Sequence, residues 1–421
     1  MSNCPYLSPE RSLSQRSTPT NRLQQNMRAR AEAGNRREES PPPGTYYTDY
    51  LKLSQLLDCQ DPVSQDEFGN YAHEELLFII VHQSHELWFK LIISDLTRVH
   101  EILSKSLSAI DPVKWMSGEV DLAKAIASLE RVKAIQPMLL QKLAVLETMT
   151  PMEFMEFRDL LVPASGFQSW QFRIIENLLG LSTKGRSNMS HEYMRKKFRP
   201  DDYEKVLFWE NQASLEDLTE KWLEQMPCLN RGPDDVVFDW TEQYKIAVDQ
   251  VLDSDEHNIR EIFSDLKIDD QTSLEEELDI VRQNRLTFDS LFDSKHHEEM
   301  ISRGVRKFSQ KAILNAIFAF LYRDLSALHS PFRFLTLLIE IDDGFTSWRY
   351  RHAQMAHRMI GRKMGTGATS GADHLQRVAQ QNSSFKDLRN ISTFLVPLSK
   401  LPPLPSSVVS LLRITSPPTC G

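Results

Sequence analysis

The chain has 421 residues, with 58 acidic and 49 basic side chains and a formal net charge of −9. Nothing in that balance provides a global basic field, which argues against nucleic acid or an anionic membrane surface as a partner. Cys4, Cys59, Cys228 and Cys420 lie far apart without paired spacing, unlike a zinc module or a disulfide framework. No apolar run approaches the ~20 residues that span a bilayer, and no charged-then-apolar leader opens the chain. A soluble, cytoplasmic protein is expected.

Residues 1 to about 43 are rich in Ser, Pro, Arg and Gln with few large apolar side chains. Such a head buries too little surface to offset its ordering entropy, so it is expected to be disordered; a transit peptide is the minor alternative. Order is expected to begin near Gly44, with Tyr46, Tyr47 and Tyr50. A long helix is predicted from about Ala72 to Lys105, its periodic face marked by Ile80, Leu87, Leu91 and Val99 and its apolar flanks suggesting burial nearly all round. A second runs from about Leu122 to Glu147 and stops at Thr148-Met149-Thr150-Pro151, where proline opens the next helix.

Shorter helices are predicted over 151–161 and 165–179, followed by an acidic helical stretch at about 202–300. Its tract 273–286 reads as a charged, solvated helix. C-terminal helices are expected at about 309–325, 333–341 and 345–362, then the Gly365–Gly371 loop and a Pro-rich strap from Phe394. No alternating period-2 segments with hairpin turns recur, and no fixed-period repeat appears. The expected architecture is all-α: one domain over 44–421 on long core helices, with 202–300 as a charged helical insertion.

Three blocks carry chemistry. In the helix after Ala72, His82 and His85 interrupt an apolar run. In the last long helix, Phe345, Trp348, His352, Met355 and Met359 fall three or four apart, so one apolar stripe carries a single imidazole. Either histidine alone reads first as a core histidine. A flat apolar cofactor with one open coordination position, such as a haem held by a proximal histidine, needs the same surroundings.

Between them, Phe154 and Arg158 are four apart on one helix face. The arginine either reaches past the ring to solvent, or clamps a substrate carboxylate while Phe154 walls the apolar part. Pro163-Ala164-Ser165-Gly166 follows, small residues at which backbone can approach a flat ligand. The Gly365–Gly371 loop lacks a P-loop lysine and follows a helix, so it suits a lid over a small polar ligand, with Thr366 offering a hydroxyl. His82, His85 and Glu86 share a helix face, but the order is not that of a zinc protease helix and no partnering Glu-x-x-His helices accompany it; His85 is expected to face solvent or a neighbouring helix.

In their order along the chain these blocks resemble the haem-dependent tryptophan 2,3-dioxygenase family. The residues concerned are the Phe78–Phe89 run, Leu146–Thr150, Phe154–Gln168 continuing to Arg173, Trp348–His352, His357-Arg358-Met359 and Gly365-Thr366-Gly367. The resemblance covers the chain from about Thr45 to its end. It implies a helical haem-dioxygenase fold in which His352 is the proximal ligand of haem b, ferrous in the active form, with Trp348, Ser165 and Gly166 at the cofactor.

Dioxygen is the implied co-substrate, and L-tryptophan is opened at its indole C2–C3 bond to N-formylkynurenine, the first step of tryptophan catabolism by the kynurenine route. His82 would meet the indole N–H, Arg158 the carboxylate and Thr366 the ammonium and carboxylate end, with Phe78 and Phe154 walling the indole. The resemblance also implies a homotetramer, a dimer of dimers, in which Tyr47 and Tyr50 cover a neighbour's site. The chain departs from many relatives at Ala372-Asp373-His374, where they carry aromatic residues, and from animal relatives at Leu76, Val81 and His85.

An indoleamine 2,3-dioxygenase shares the implied chemistry but is typically monomeric; the Tyr47–Tyr50 segment favours the tetrameric tryptophan enzyme. A cofactor-free helical scaffold would leave the three blocks without a common purpose. A haem sensor would need His352 but not Arg158.

Overall fold

The computed structural model describes residues 46–108, 122–181, 190–226, 238–266, 270–365, 375 and 383–412. The expected disordered head 1–43, Thr366 with most of its loop, and Ala372–His374 lie outside the described residues. Those residues form helices and connecting turns, with no strand among them. The all-α expectation therefore holds.

The chain divides into two compact units, residues 1–80 and 81–421. The first contains α1 (Tyr47–Tyr50) and α2 (Leu53–Leu56). It also holds a turn in which the buried Glu75 carboxylate accepts from Val63 N, Ser64 N and Ser64 Oγ. Three donors on one carboxylate hold that turn closed.

The second unit is organised by three long helices. These are α3 (His73–Ser108, which begins in the first unit), α4 (Leu122–Leu146) and the long helix Ser326–Ile360. Between them in the chain come α5 (Pro151–Phe157), α6 (Trp170–Leu179), α7 (His191–Lys197), α8 (Pro200–Glu210) and α9 (Leu215–Glu224). The sequence then forms α10 (Trp240–Asp265), α11 (Gln271–Phe292), α12 (Ser294–Ser302) and α13 (Gln310–Leu321). The long C-terminal helix is α14, followed by α15 (Lys386–Arg389) and α16 (Ser406–Leu411).

The most extensive packing joins α4 to α14. Glu130 pairs with Arg333, Lys133 with Glu340, and Glu147 with Arg351, and Gln136 Nε2 donates to Ile341 O at 2.7 Å. Partners rise together in number, so the two helices run in the same direction. Leu129, Val132, Leu139 and Leu143 of α4 are buried, as are Phe334, Leu335, Leu338 and Ile341 of α14. Fully burying a side chain of this kind contributes about 1.5–3 kcal/mol.

The start of α5 matches its sequence signal. Thr150 Oγ1 accepts from Glu153 N, the Glu153 carboxylate accepts from Thr150 N, and Pro151 occupies the first turn, a reciprocal cap that satisfies otherwise orphaned donors. The 151–161 prediction divides here, with Arg158–Leu161 tightening to a 3-10 turn. Likewise 165–179 becomes a 3-10 turn at Gly166–Gln168 followed by α6. The acidic mid-chain stretch is helical; α11 is largely exposed, burying only Leu278, Val281, Ser290 and Leu291.

Three expectations are corrected. The two helices expected at 333–341 and 345–362 are one, because α14 continues through Asp342-Asp343-Gly344. Gly344 is there for closeness: a Cβ would stand 2.2 Å from Gln136 Oε1. The buried Asp342 carboxylate is in turn satisfied by Ser383 Oγ, Ser384 N and Arg389. Second, Ile80 and Leu87 are exposed, and the buried face of α3 consists of Val81, His85, Phe89, Ile92, Leu96, Val99 and Leu103. The apolar run is broader than the face its neighbours cover. Third, the helix expected at 309–325 ends at Leu321, and α14 already begins at Ser326; α3, by length and composition alone, also passes for a membrane span. Its core side carries a buried Asp95 paired with Arg131 at 2.8 Å, a charge that an apolar medium penalises.

The strap from Phe394 is irregular at first, then forms α16. Tyr244 donates to Phe394 O, and Tyr322 Oη donates to Pro402 O at 2.6 Å. These bonds fasten it to α10 and to the turn after α13.

Gly344→Ala is expected to destabilise the chain by about 1–2 kcal/mol, because overpacking outweighs the better helix propensity of alanine. Adding Gln136→Ala should remove most of the clash, leaving the double variant with less than the sum of the two single losses. Chemical denaturation of the four proteins measures it.

Candidate active site

The site is built around Trp348. One turn along α14 the His352 ring lies nearly parallel to it, 5.2 Å between centroids and 7° between planes. Phe172 of α6 sits 5.0 Å from Trp348, Phe89 of α3 6.3 Å and His85 6.1 Å. Phe172 also meets Phe89 and Phe345. Aromatic pairs at such separations contribute about 0.5–1.5 kcal/mol beyond area burial, so the Trp348 ring is fixed from several sides and in turn fixes the plane of His352. The expected stripe holds: Phe345, Met355 and Met359 are buried, while Trp348 and His352 keep some open surface.

His352 is neutral at ordinary pH. Desolvation pushes it down to about 4, and the nearby His82 and His85 add to the effect. No hydrogen bond among the described residues contributes to its state, so the ring presents a nitrogen lone pair that no neighbour uses. A neutral, oriented imidazole with a free lone pair is what a haem iron takes from a proximal histidine. The residues present therefore fit haem.

His82 is exposed on α3 and acts electrostatically on both other imidazoles. His85 is buried and faces the neighbouring helix rather than solvent, which settles the two expectations for it. Glu86 accepts from Gln171 Nε2 at 2.8 Å, so the three residues considered for a metal on α3 are turned to different tasks.

On the polar side, Arg158 follows directly on α5 and donates to Met364 O. The guanidinium thus lies where the Gly365–Gly371 segment begins. Lys363 reaches Met155 across the same junction, and α5 packs on α14. A carboxylate is a stronger acceptor for a guanidinium than a neutral carbonyl, so an anionic ligand competes favourably for Arg158. Phe154 is half-buried and edge-on to Phe157 at 5.4 Å. Ser165 caps the 3-10 turn at Gly166–Gln168, its Oγ accepting from Phe167 N.

Phe78 falls in the first unit and is half-buried; Tyr47 and Tyr50 are there too, 72% and 71% exposed. Thr366 lies outside the described residues. Sequence reasoning missed the part of Met364 and the contact of His85 with Trp348. Neither leaves a local signal, since each depends on which helix lies opposite.

Comparison with known proteins follows the same line. A family model described as tryptophan 2,3-dioxygenase matches residues 29–395. A tryptophan 2,3-dioxygenase of Alteromonas mediterranea is 38% identical over 363 residues, 86% of this chain and 95% of its own. One of Dictyostelium discoideum is 39% identical over 375 residues, 88% of each chain. Tryptophan 2,3-dioxygenase B of Danio rerio is 37% identical, over 86% of this chain and 84% of its own.

Burial lowers His85 from its ordinary 6.5 to about 4. Between those values the unfolded chain binds a proton that the folded one refuses, so this contribution is complete above 6.5 and is lost as pH falls toward 4. His85→Phe is expected to show a shallower acid limb in that window, by up to about 1.4 kcal/mol per pH unit. Equilibrium denaturation at stepped pH reads it out.

Proposed function

The chain belongs to the tryptophan 2,3-dioxygenase family, and from that premise we propose which of its residues run the reaction. The enzyme is a dioxygenase that oxidises L-tryptophan, placing both atoms of dioxygen across the indole C2–C3 bond to give N-formylkynurenine. The finer reading is that His352 binds haem b with Trp348, Ser165 and Gly166 beside it, and that His82, Phe78, Phe154, Arg158 and Thr366 receive the substrate. The observation that carries it is the Trp348–His352 stack with a neutral, unbonded imidazole next to His82.

Ferrous haem, when bound, supplies activation of dioxygen, whose triplet ground state is otherwise sluggish toward a closed-shell indole. The chain's own residues supply the rest. Arg158 exchanges the Met364 carbonyl for the substrate carboxylate, which orients the amino acid and frees the start of the following loop. Phe154 and Phe78 wall the indole, and His82 accepts a hydrogen bond from its N–H. Holding both reactants in one geometry replaces a bimolecular encounter by an effectively unimolecular one. An apolar surround limits water at the reacting carbons.

The reading includes a homotetramer. It is supported by Tyr47, Tyr50, Leu57 and Phe68 of the first unit, each more than two-thirds exposed, an apolar surface suited to a second subunit. Residues 44–421 act as one catalytic domain with 202–300 as its insertion, in the cytoplasm.

His352→Ala is expected to lose the Soret band; a normal band in that variant contradicts the ligand assignment. Arg158→Ala is expected to keep its haem and lose tryptophan affinity by about 2–5 kcal/mol, the usual cost of removing one partner of a buried charge pair. Unchanged affinity contradicts the clamp.

A further inference from the structure

One group in the aromatic cluster has no part in the reaction described above. His85 is buried, and its Nδ1 lies 2.8 Å from Val81 O, one turn back on α3. A carbonyl only accepts, so Nδ1 carries the proton and Nε2 carries the lone pair. That Nε2 is buried and makes no well-aligned hydrogen bond among the described residues, although the Leu139 backbone of α4 lies within reach of the ring. Across the ring contact, the Trp348 Nε1–H is buried and lacks a partner too. A buried acceptor and a buried donor, each left unpaired, forfeit their hydration without replacement. Here they stand on two rings whose centroids are 6.1 Å apart.

We propose that His85 is a positioning residue for His352, acting through Trp348 by a hydrogen-bonded bridge between His85 Nε2 and the Trp348 Nε1–H. One ordered water completes the bridge. Trp348 donates to the water, and the water donates to His85 Nε2. Its other proton goes to the backbone of Leu139 on α4, which also faces the His85 ring. Three hydrogen bonds are the usual complement of a buried water.

The bridge ties α3, α4 and α14 together at one point. It fixes the rotation of the indole about its own axis, which ring packing alone leaves less determined. Because Trp348 and His352 are stacked at 7°, fixing the indole fixes the imidazole plane, and with it the direction of the lone pair. The same ring keeps His85 neutral, since a proton on Nε2 would turn the acceptor into a second donor facing Trp348. The proposal rests on the assignment of His352 as haem ligand, and its test separates the two.

The test compares His85→Gln and His85→Phe as holoenzymes. Glutamine keeps a side-chain acceptor but loses the ring; phenylalanine keeps an apolar ring but loses the acceptor. A bridging role predicts that the Gln variant retains haem like the unmodified chain. The Phe variant should release it to excess apomyoglobin about tenfold faster, the low end for groups that support a metal ligand. A packing role predicts the opposite order. Ultraviolet resonance Raman adds a readout independent of haem: a hydrogen-bonded indole N–H signal, assigned to Trp348 by its loss in Trp348→Phe, should persist in Gln and vanish in Phe. Equal haem release by the Phe variant and the unmodified chain, or faster release by both variants, overturns the proposal. The iron–histidine stretching band of the ferrous protein is checked separately in His352→Ala. Its survival there overturns the ligand assignment and, with it, the purpose given to His85.

Discussion

The structure depends on keeping one imidazole neutral, oriented and unbonded inside a helical core. Burial alone meets the first condition, since an apolar surround penalises the cation and brings His352 down to about 4. Orientation needs more, because a histidine without a hydrogen bond has nothing polar to fix its ring. Trp348 does this by stacking, and Trp348 is itself held by Phe89 and Phe172 from two other helices. Most haem and metal histidines are oriented by a carboxylate or carbonyl on the second ring nitrogen. Here an aromatic wall takes that place, which makes the direction of the imidazole depend on packing.

That dependence explains how the rest of the fold is built. The helix bearing His352 has to be anchored along its length, and besides its ion pairs to α4 three contacts hold α14 in its middle and toward its end. At its middle, Asp342 gathers Ser383, Ser384 and Arg389 from the chain that returns after the Gly-rich segment. Beside it, Gly344 lets Gln136 of α4 come close enough to bond Ile341 O. Toward its end, Arg351 pairs with Glu147, whose side chain is nearly buried. Just past the helix end at Ile360, at Met364, the chain meets Arg158. The helix that carries the imidazole therefore leads directly to the Arg158 guanidinium.

Much of this was legible in the sequence where the signal is local. The 3.6-residue stripe from Phe345 to Met359 placed His352 on a buried face, and Thr148-Met149-Thr150-Pro151 announced the stop and the proline-led helix start that the structure forms. The four-residue spacing of Phe154 and Arg158 survived even though the helix tightens between them, because Arg158 continues the turn. Signals failed where the answer lies on another element. Asp342-Asp343-Gly344 reads as a break; its acids and its glycine are instead explained by Arg389 and Gln136, 47 and 208 positions away in the chain. Ile80 and Leu87 read as core because they are apolar, yet nothing among the described residues covers them. His85 read as ambiguous for the same reason, since only the position of α14 decides that it meets Trp348.

The most direct test of the central claim is an optical spectrum of the purified protein, reduced without oxygen and then given L-tryptophan and air. A ferrous Soret band is expected, followed by growth of N-formylkynurenine absorbance, with little product when tryptamine, which lacks the carboxylate, replaces tryptophan. A protein that binds no haem even after reconstitution would contradict the role given to His352. Equal turnover of tryptamine and tryptophan would contradict the role given to Arg158.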